Sequence, residues 1–298
     1  MNADINATTH VNVGAIGVFD GVHRGHRALL AQARSMGGHL VAVTFDPHPR
    51  QVVAGTAPTS LATVPQRVAL LREAGADDVV VLDFTPELAA MSAHEFVTSI
   101  LVGRLALDAV VVGENFRFGA QAHGDVALMA QIGEPLGLRV TSVPMVGDGI
   151  QRWSSSRIRA LIEAGEIDAA NAGLDRPYRV TGTVEHGAGR GRTLGYPTAN
   201  LALIANPTIP ADGVYAGYLD AGEGAWPAAI SIGTNPQFGS DLRTVEAYVL
   251  DRTEDLYGRV VELAFIGRLR GQRTFDDVDG LVAQMAMDVA QVRDVLSA

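Results

Sequence analysis

The chain has 298 residues, 47% of them apolar, and a net charge of −10 from 23 basic and 33 acidic side chains. Every basic residue is arginine, and both lysine and cysteine are absent; this excludes a Walker A phosphate lysine, Schiff-base chemistry, thiolate nucleophiles, disulfides and thiolate metal sites. The acidic balance argues against a nonspecific nucleic-acid or anionic-membrane surface, so phosphate chemistry here must rest on backbone N–H groups, hydroxyls, histidine, arginine and a metal.

Residues 1–10 (MNADINATTH) carry no basic or apolar targeting pattern and read as a disordered lead-in. No apolar run reaches the roughly 18 residues of a membrane span, so a soluble, cytoplasmic protein is expected, with neither nucleic acid nor membrane as partner. Short Val-rich runs at Val11 to Phe19, Leu40 to Phe45, Val79 to Asp83, Ala109 to Gly113 and Arg139 to Val143 read as buried strands. Helical stretches alternate with and follow them, near His26 to Met36, Pro65 to Glu73, Ala93 to Leu105, Asp125 to Leu136 and Ser155 to Ala164. That alternation predicts a parallel sheet with right-handed crossovers and ligands at the carboxyl ends of its strands. The Gly-Asp-Pro cluster Asn171 to Tyr178 reads as a linker between domains at 1–170 and 178–298. Beyond it, short alternating strands at Arg179 to Glu185, Gly213 to Leu219, Ala228 to Ile232, Thr244 to Leu250 and Val260 to Phe265, then a helix at Phe275 to Leu296, predict a small antiparallel barrel or sandwich closed by one helix.

The first candidate site is GVFDGVHRGH, Gly17 to His26, where the first strand turns into a helix. Gly25 lets an anion approach the backbone, the helix start offers unpaired N–H groups, and His23 and His26 can donate to a phosphate. An HxGH string by itself can arise by chance; its place after the first strand of a parallel sheet is the stronger signal. Three more segments fall near strand ends. TFDPHP (Thr44 to Pro49) is either a rigid proline turn or a site for Asp46 and His48. In GENFRFG (Gly113 to Gly119), Phe116 and Phe118 are either core or ligand-facing rings. In SSSRIR, one of Ser154 and Ser155 serves as a helix cap, and the remaining hydroxyls with Arg157 and Arg159 can clamp phosphates without a lysine.

The second half opens with four glycines between Gly182 and Gly191, including Gly187, in a loop that permits backbone contact with a nucleotide. In the PTAN segment that follows, Thr198 and Asn200 lie on one side of an extended stretch, either as a capped turn or as oxygen donors suited to Mg²⁺. Glu246 shares one strand face with Tyr248 and Leu250. It is a catalytic or paired carboxylate if that face is enclosed, and a solvated charge if it is not.

The first-half motifs, in order, resemble the HxGH nucleotidyltransferases, and specifically the adenylyltransferase module of bacterial bifunctional riboflavin kinase/FAD synthetases. Ser156 stands where that family usually has threonine, and Glu114-Asn115 where an acidic residue often precedes FRFG. The stretch from Gly182 through PTAN, GVYAG, SIGTNPQF, VEAYVLD and DLYG is similar to the riboflavin kinase module of the same family, with Gln237 where threonine is common. The resemblance covers about residues 11–297. It implies a Rossmann-like parallel-sheet domain followed by an antiparallel barrel with a terminal helix, using ATP and Mg²⁺ to convert riboflavin to FMN and FMN to FAD.

Catalytic roles then fall on His23, His26 and Arg157 in the first site and on Glu246 in the second, as base for the ribityl hydroxyl. Nucleotide contacts fall on Gly17, Phe19, Asp20, Gly25, Ser154, Ser155, Ser156, Arg159, Gly187 and Gly191, flavin contacts on Asp46, His48, Asn115, Phe116 and Phe118, and Mg²⁺ on Thr198 and Asn200. The competing readings are a chain with one live module, an adenylyltransferase for another phosphate ester, and a flavin-binding regulator without turnover.

Overall fold

The computed structural model describes residues 11–187, 190–235 and 240–297, so the N-terminal lead-in and the Pro236 to Phe238 part of the SIGTNPQF motif lie outside the described residues. Contacts divide the chain into two compact units. The first comprises residues up to Pro58 together with Val64–Trp153, and the second Thr59–Thr63 together with the chain from Ser154 onward.

In the first unit, β1 (Asn12–Ile16), β2 (His39–Asp46), β3 (Asp78–Asp83), β4 (Ala109–Gly113) and β5 (Arg139–Val143) form one sheet in the order β3-β2-β1-β4-β5. All four pairings are parallel. The helices are α1 (Arg24–Ser35), α2 (Pro49–Ala54), α3 (Val64–Glu73), α4 (Pro86–Ala90), α5 (Ala93–Glu95), which runs on as a π-helical stretch Phe96–Arg104, and α6 (Val126–Gly133). Successive strand residues point to opposite faces, and both faces are covered. Ile16, Val43, Phe45, Val110 and Val112 pack with Phe96, Leu101 and Met129; Val13, Ala15, Leu40, Ala42 and Val111 pack with Leu29, Leu30 and Leu71 on the other face. Unbroken apolar runs are what such doubly covered strands require, and the sheet is therefore the part of the fold most directly written in the sequence. The strand order reverses between β1 and β4, which opens a crevice at their carboxyl ends.

The second unit is a closed antiparallel barrel in the order β10-β7-β6-β11-β8-β9. Its strands are β6 (Tyr178–Glu185), β7 (Thr198–Leu203), β8 (Gly213–Asp220), β9 (Ala225–Asn235), β10 (Ser240–Val249) and β11 (Val260–Arg270). Its helices are α7 (Ser155–Ala164), α8 (Ile167–Leu174), α9 (Arg190–Thr193) and α10 (Val278–Ser297). Val245, Ala247 and Val249 lie opposite Ile232, Ile230 and Ala228 in the ladder, and all six are buried on the interior face. The other face of these strands and of β8 carries Tyr248, Ala229 and Ala216, on which Val289, Val292 and Leu296 of α10 pack. The segment Thr59–Thr63 belongs to this unit: Ser60 N donates to Asn206 O at 3.0 Å, and Thr208 N donates to Ser60 O at 2.9 Å.

Two local readings change. The expected linker at Asn171 to Tyr178 begins inside α8. There the Asn171 amide donates to Phe265 O at 2.9 Å and its carbonyl accepts from Tyr178 N at 2.7 Å; a turn-forming composition is overridden because the side chain finds backbone partners in the barrel. The PTAN segment lies in strand β7, which the alternation pattern had not singled out because only Ala199 on it is buried.

A buried ion pair fastens α10. Arg270 on β11 meets Asp288 with two bonds, Nε to Oδ1 at 2.9 Å and a terminal nitrogen to Oδ2 at 2.6 Å. Gln284, one turn earlier on the helix, donates to Asp288 Oδ1 at 2.8 Å and accepts from Arg273 at 3.1 Å. Removing one partner strands a buried charge, so Asp288→Ala is expected to lower the denaturant unfolding free energy of this unit by about 3–5 kcal/mol. Arg270→Met with Asp288→Leu is expected to recover most of that loss in the same measurement.

Candidate active sites

At the carboxyl end of β1 the backbone makes an unusual turn. Phe19, Gly21 and Val22 have φ of 54°, 80° and 41°, and the two apolar residues hold this left-handed path because their side chains are wholly buried. His23 then closes the extended stretch as N-cap of α1, and His26 lies in the helix's first turn. The two imidazoles stack with centroids 3.6 Å apart, and the Phe19 ring meets His26 edge-on at 5.2 Å. A Cβ on Gly25 would sit 3.1 Å from the His23 ring, so glycine is what allows the ring to lie across the helix start. Gly17, whose N–H donates to Val43 O at 3.1 Å, packs beneath the Phe19 ring in the same way, and Asp20 is buried in this turn.

His26 Nδ1 is buried with no hydrogen-bond partner among the described residues. Burial, and then the neighbouring His23, hold the His26 imidazole well below its ordinary value, so it is neutral at physiological pH. A neutral, stacked imidazole with an open ring nitrogen is a hydrogen-bonding group in wait for an anion, not a standing charge.

TFDPHP closes β2 beside this turn. Asp46 is exposed, and His48 caps α2, its Nδ1 accepting from Arg50 N at 3.1 Å. Asn115 Oδ1 lies 3.2 Å from where a Cβ on Gly113 would stand. The two aromatic readings separate: Phe118 is buried in the core against Phe96 at 5.6 Å, while Phe116 is only partly buried and stacks on Phe118 at 5.9 Å. Phe118 thus supports the ring that has a free face instead of offering one itself.

Sequence reasoning passed over Arg67, an arginine on an amphipathic helix that reads as surface. It is only 7% exposed, and one guanidinium nitrogen donates to Val18 O, Thr44 Oγ1 and Phe45 O at 2.9, 3.0 and 3.0 Å. Burial pulls its pKa down from the ordinary arginine value, and the carboxylates of Asp20 and Asp46 oppose that shift.

Ser154 to Arg159 fall in the second unit. Ser154 is the N-cap of α7, its Oγ accepting from Arg157 N at 3.2 Å. Ser155, Ser156 and Arg157 follow in the first turn, and Arg159 Nε donates to Thr59 O at 2.7 Å.

On the barrel, Glu246 lies on the outer, half-buried face, the face on which α10 packs farther along. Its two carboxylate oxygens are held separately: Oε2 accepts from Thr198 Oγ1 at 3.0 Å and Oε1 from Thr244 Oγ1 at 3.1 Å. Asn200 is its direct cross-strand neighbour, and Thr198 and Asn200 share a face two residues apart on β7. A Cβ on Gly187 would collide with the Asn200 amide, and one on Gly191 would lie 3.5 Å from Thr198 Oγ1. Both glycines therefore pass close over the pair. Thr244 was missed by sequence reasoning, although its place two residues before Glu246 puts it on the same strand face. Hydroxyl, amide and carboxylate oxygens are hard donors, and a Thr198 hydroxyl that gives its proton to Glu246 keeps its lone pairs for a cation such as Mg²⁺. Among the described residues no group of three or more histidine or acidic side chains converges as a metal site.

Two family models match successive parts of the chain: FAD synthetase over residues 5–157 and riboflavin kinase over residues 174–296. The bifunctional riboflavin kinase/FMN adenylyltransferase of Escherichia coli K12 is 35% identical, covering 94% of this chain and 91% of its own length. The Pseudomonas fluorescens protein of the same description is 36% identical over 94% and 92%. This chain belongs to the bifunctional riboflavin kinase/FMN adenylyltransferase family. A Streptococcus pneumoniae crystal structure described as a macrolide-efflux protein matches this family member with a TM-score of 0.86 and 31% identity, over 96% of this chain and 95% of that one. No helix among the described residues is long and apolar enough to cross a membrane. In this riboflavin kinase/FMN adenylyltransferase, His23 and His26 lie within the FAD synthetase range, and Thr198, Asn200 and Glu246 within the riboflavin kinase range. Arg159 lies between the two ranges.

The lowered His26 pKa has a pH consequence. A histidine whose folded pKa is depressed contributes stability that is complete above its unfolded value of about 6.5 and is lost as pH falls below it. The ligand-free protein is expected to lose stability as pH falls below about 6.5, by up to about 1.4 kcal/mol per pH unit for this one proton. His26→Asn should flatten that segment of the pH-stability curve measured by denaturant unfolding.

Proposed function

We propose that the barrel phosphorylates riboflavin with ATP, giving FMN and ADP, and that the parallel-sheet unit joins FMN to the adenylyl group of a second ATP, giving FAD and pyrophosphate. The observation that carries this assignment is that His23 and His26 fall in one compact unit and Thr198, Asn200 and Glu246 in the other, each set within the range of a different family model.

In the kinase step the ribityl 5′-hydroxyl attacks the γ-phosphorus of ATP, the bond to the β-phosphate oxygen breaks, and the hydroxyl proton passes to Glu246. Thr198 and Thr244 aim that carboxylate by holding one oxygen each, leaving further lone pairs to receive the proton. Thr198 and Asn200 are the residues that would hold Mg²⁺, which supplies charge neutralisation for the phosphates. Gly187 and Gly191 bring the loop backbone toward the nucleotide.

In the adenylyl step an ionised FMN phosphate oxygen attacks the α-phosphorus and pyrophosphate leaves, so no strong base is needed. The chain's task is to align two anions and stabilise charge on the equatorial oxygens. His23, His26 and the N–H groups at the start of α1 supply donors for this, with Gly17, Phe19, Asp20 and Gly25 shaping the turn. Ser154, Ser155, Ser156 and Arg157, which lie within the FAD synthetase range, are assigned to the nucleotide phosphates. Arg159 is better read as a support, because it donates to Thr59 O. Asp46, His48, Asn115 and Phe116 are assigned to the flavin, with Phe118 backing Phe116. A cytoplasmic location suits this chemistry, in which ATP and a free vitamin are the substrates.

The test follows both reactions by chromatography of the flavins, with ATP and Mg²⁺ present. Glu246→Gln is expected to slow FMN formation by about 10²–10⁴-fold and to leave added FMN convertible to FAD. His26→Ala should slow FAD formation by about 10²–10³-fold and spare the kinase. If either substitution abolished both conversions in a folded protein, the two-site assignment would fail.

A further inference from the structure

The HxGH turn and the TFDPHP turn are carried by neighbouring strands, and a single buried side chain joins them. Val18 O belongs to the turn after β1, and Thr44 Oγ1 and Phe45 O to the last residues of β2. All three are met by one Arg67 nitrogen. Thr44 closes the triangle by donating its own hydroxyl to Val18 O at 2.8 Å. The guanidinium Nε is buried and has no hydrogen-bond partner among the described residues.

Burying a cation this deeply is costly, and a sheet edge can be tied by neutral groups at lower cost. The location of Arg67 supplies a reason. Two carbonyl dipoles point at one place, and the carboxylates of Asp20 and Asp46 act on the same guanidinium. Left without a cation, these negative ends would repel one another and would oppose any anion brought to the turn. Both substrates of adenylyl transfer are anions, and the chain has no lysine to offset the acidic side chains. The three contacts share the two N–H groups of one guanidinium nitrogen, and the rigid plane of the group fixes the direction in which they point, which a rotating ammonium does not.

We propose that Arg67 is a positioning residue for adenylyl transfer: by bonding Val18 O, Thr44 Oγ1 and Phe45 O from beneath the sheet edge, it sets the HxGH turn against the TFDPHP turn and neutralises the acidic ground on which the two phosphate esters meet. The proposal rests on the assignment of His23 and His26 to that reaction. Arg67 acts through these turns and does not touch the reacting atoms.

The test uses the full-length protein and measures the two conversions separately, together with circular dichroism and melting. Arg67→Met is expected to lower kcat/KM for FAD formation by about 10²-fold, with a rise in the KM for ATP as well as a fall in kcat, while FMN formation from riboflavin is unchanged. Partial unfolding alone would lower kcat in proportion to the folded fraction and leave KM where it was. Arg67→Lys, which keeps the charge but not the rigid planar donor, is expected to recover roughly a tenth of the parent's kcat/KM. Thr44→Val, which removes one corner of the triangle with little change in volume, should cost roughly tenfold.

FAD formation by folded Arg67→Met within about threefold of the parent would overturn the proposal, as would a loss confined to kcat and matched by lost folded protein. Should Arg67→Met not fold, parent-like FAD formation by both Arg67→Lys and Thr44→Val would overturn it instead. His26→Ala is the separate control: full FAD formation by that variant would show that the site itself had been misassigned, whatever the Arg67 variants do.

Discussion

An ionised group taken out of water must find its partners already in place, and each compact unit is organised around a group held in that way. In the parallel-sheet unit it is the Arg67 guanidinium, bonded to three oxygens at the ends of β1 and β2. In the barrel there are two. Glu246 has one hydroxyl on each oxygen, and Asp288 receives Arg270 in a two-bond fork backed by Gln284. The partners are backbone carbonyls, threonine hydroxyls and arginine, which are the groups left to a chain with no lysine and no cysteine. Arginine suits the role because its planar fork spreads one charge over several acceptors.

The same constraint accounts for where the polar chemistry lies. A sheet covered on both faces has no room for polar groups along its strands, so they collect at the strand ends, where the backbone leaves the ladder. At the end of β1 the chain accepts left-handed conformations at Phe19 and Val22, held by burial of their side chains. The outcome is a pair of stacked imidazoles at a helix start, with His26 kept neutral by its surroundings. On the barrel the interior is apolar, and the carboxylate stands on the opposite, half-buried face of the wall. Each unit has its own core and its own polar cluster, which fits two reactions that share a product and a substrate but not their catalytic groups.

Much of this was legible in the sequence. Val-rich runs of the right length marked all five parallel strands to within a few residues; in β1, β2 and β4 the run reflects burial on both faces, whereas the outer strands β3 and β5 are only partly buried. Phe116 and Phe118 were alike in the sequence and became distinct only when one of them was packed against Phe96. The composition around Asn171 suggested a break, yet its amide found partners on the barrel and the helix continued. The alternation around Glu246 offered an interior or a solvated face; the barrel's closure put Val245, Ala247 and Val249 inside and left Glu246 on a wall half covered by its neighbours.

By itself the sequence determined the two-part architecture, the strands of the parallel sheet, the order of the motifs and the donors available for phosphate, since these depend on local periodicity and on which side-chain chemistries are present at all. Only the tertiary structure decided that Arg67 is buried beneath two turns, that Thr244 shares Glu246 with Thr198, that Arg270 is matched to Asp288, and that residues Thr59–Thr63 belong with the barrel. Apart from Thr244 and Glu246, two residues apart on one strand, those pairings join positions well separated in the chain. No local pattern encodes them, because burial and partnership are properties of the packed molecule and arise only when distant segments remove one another's polar groups from water.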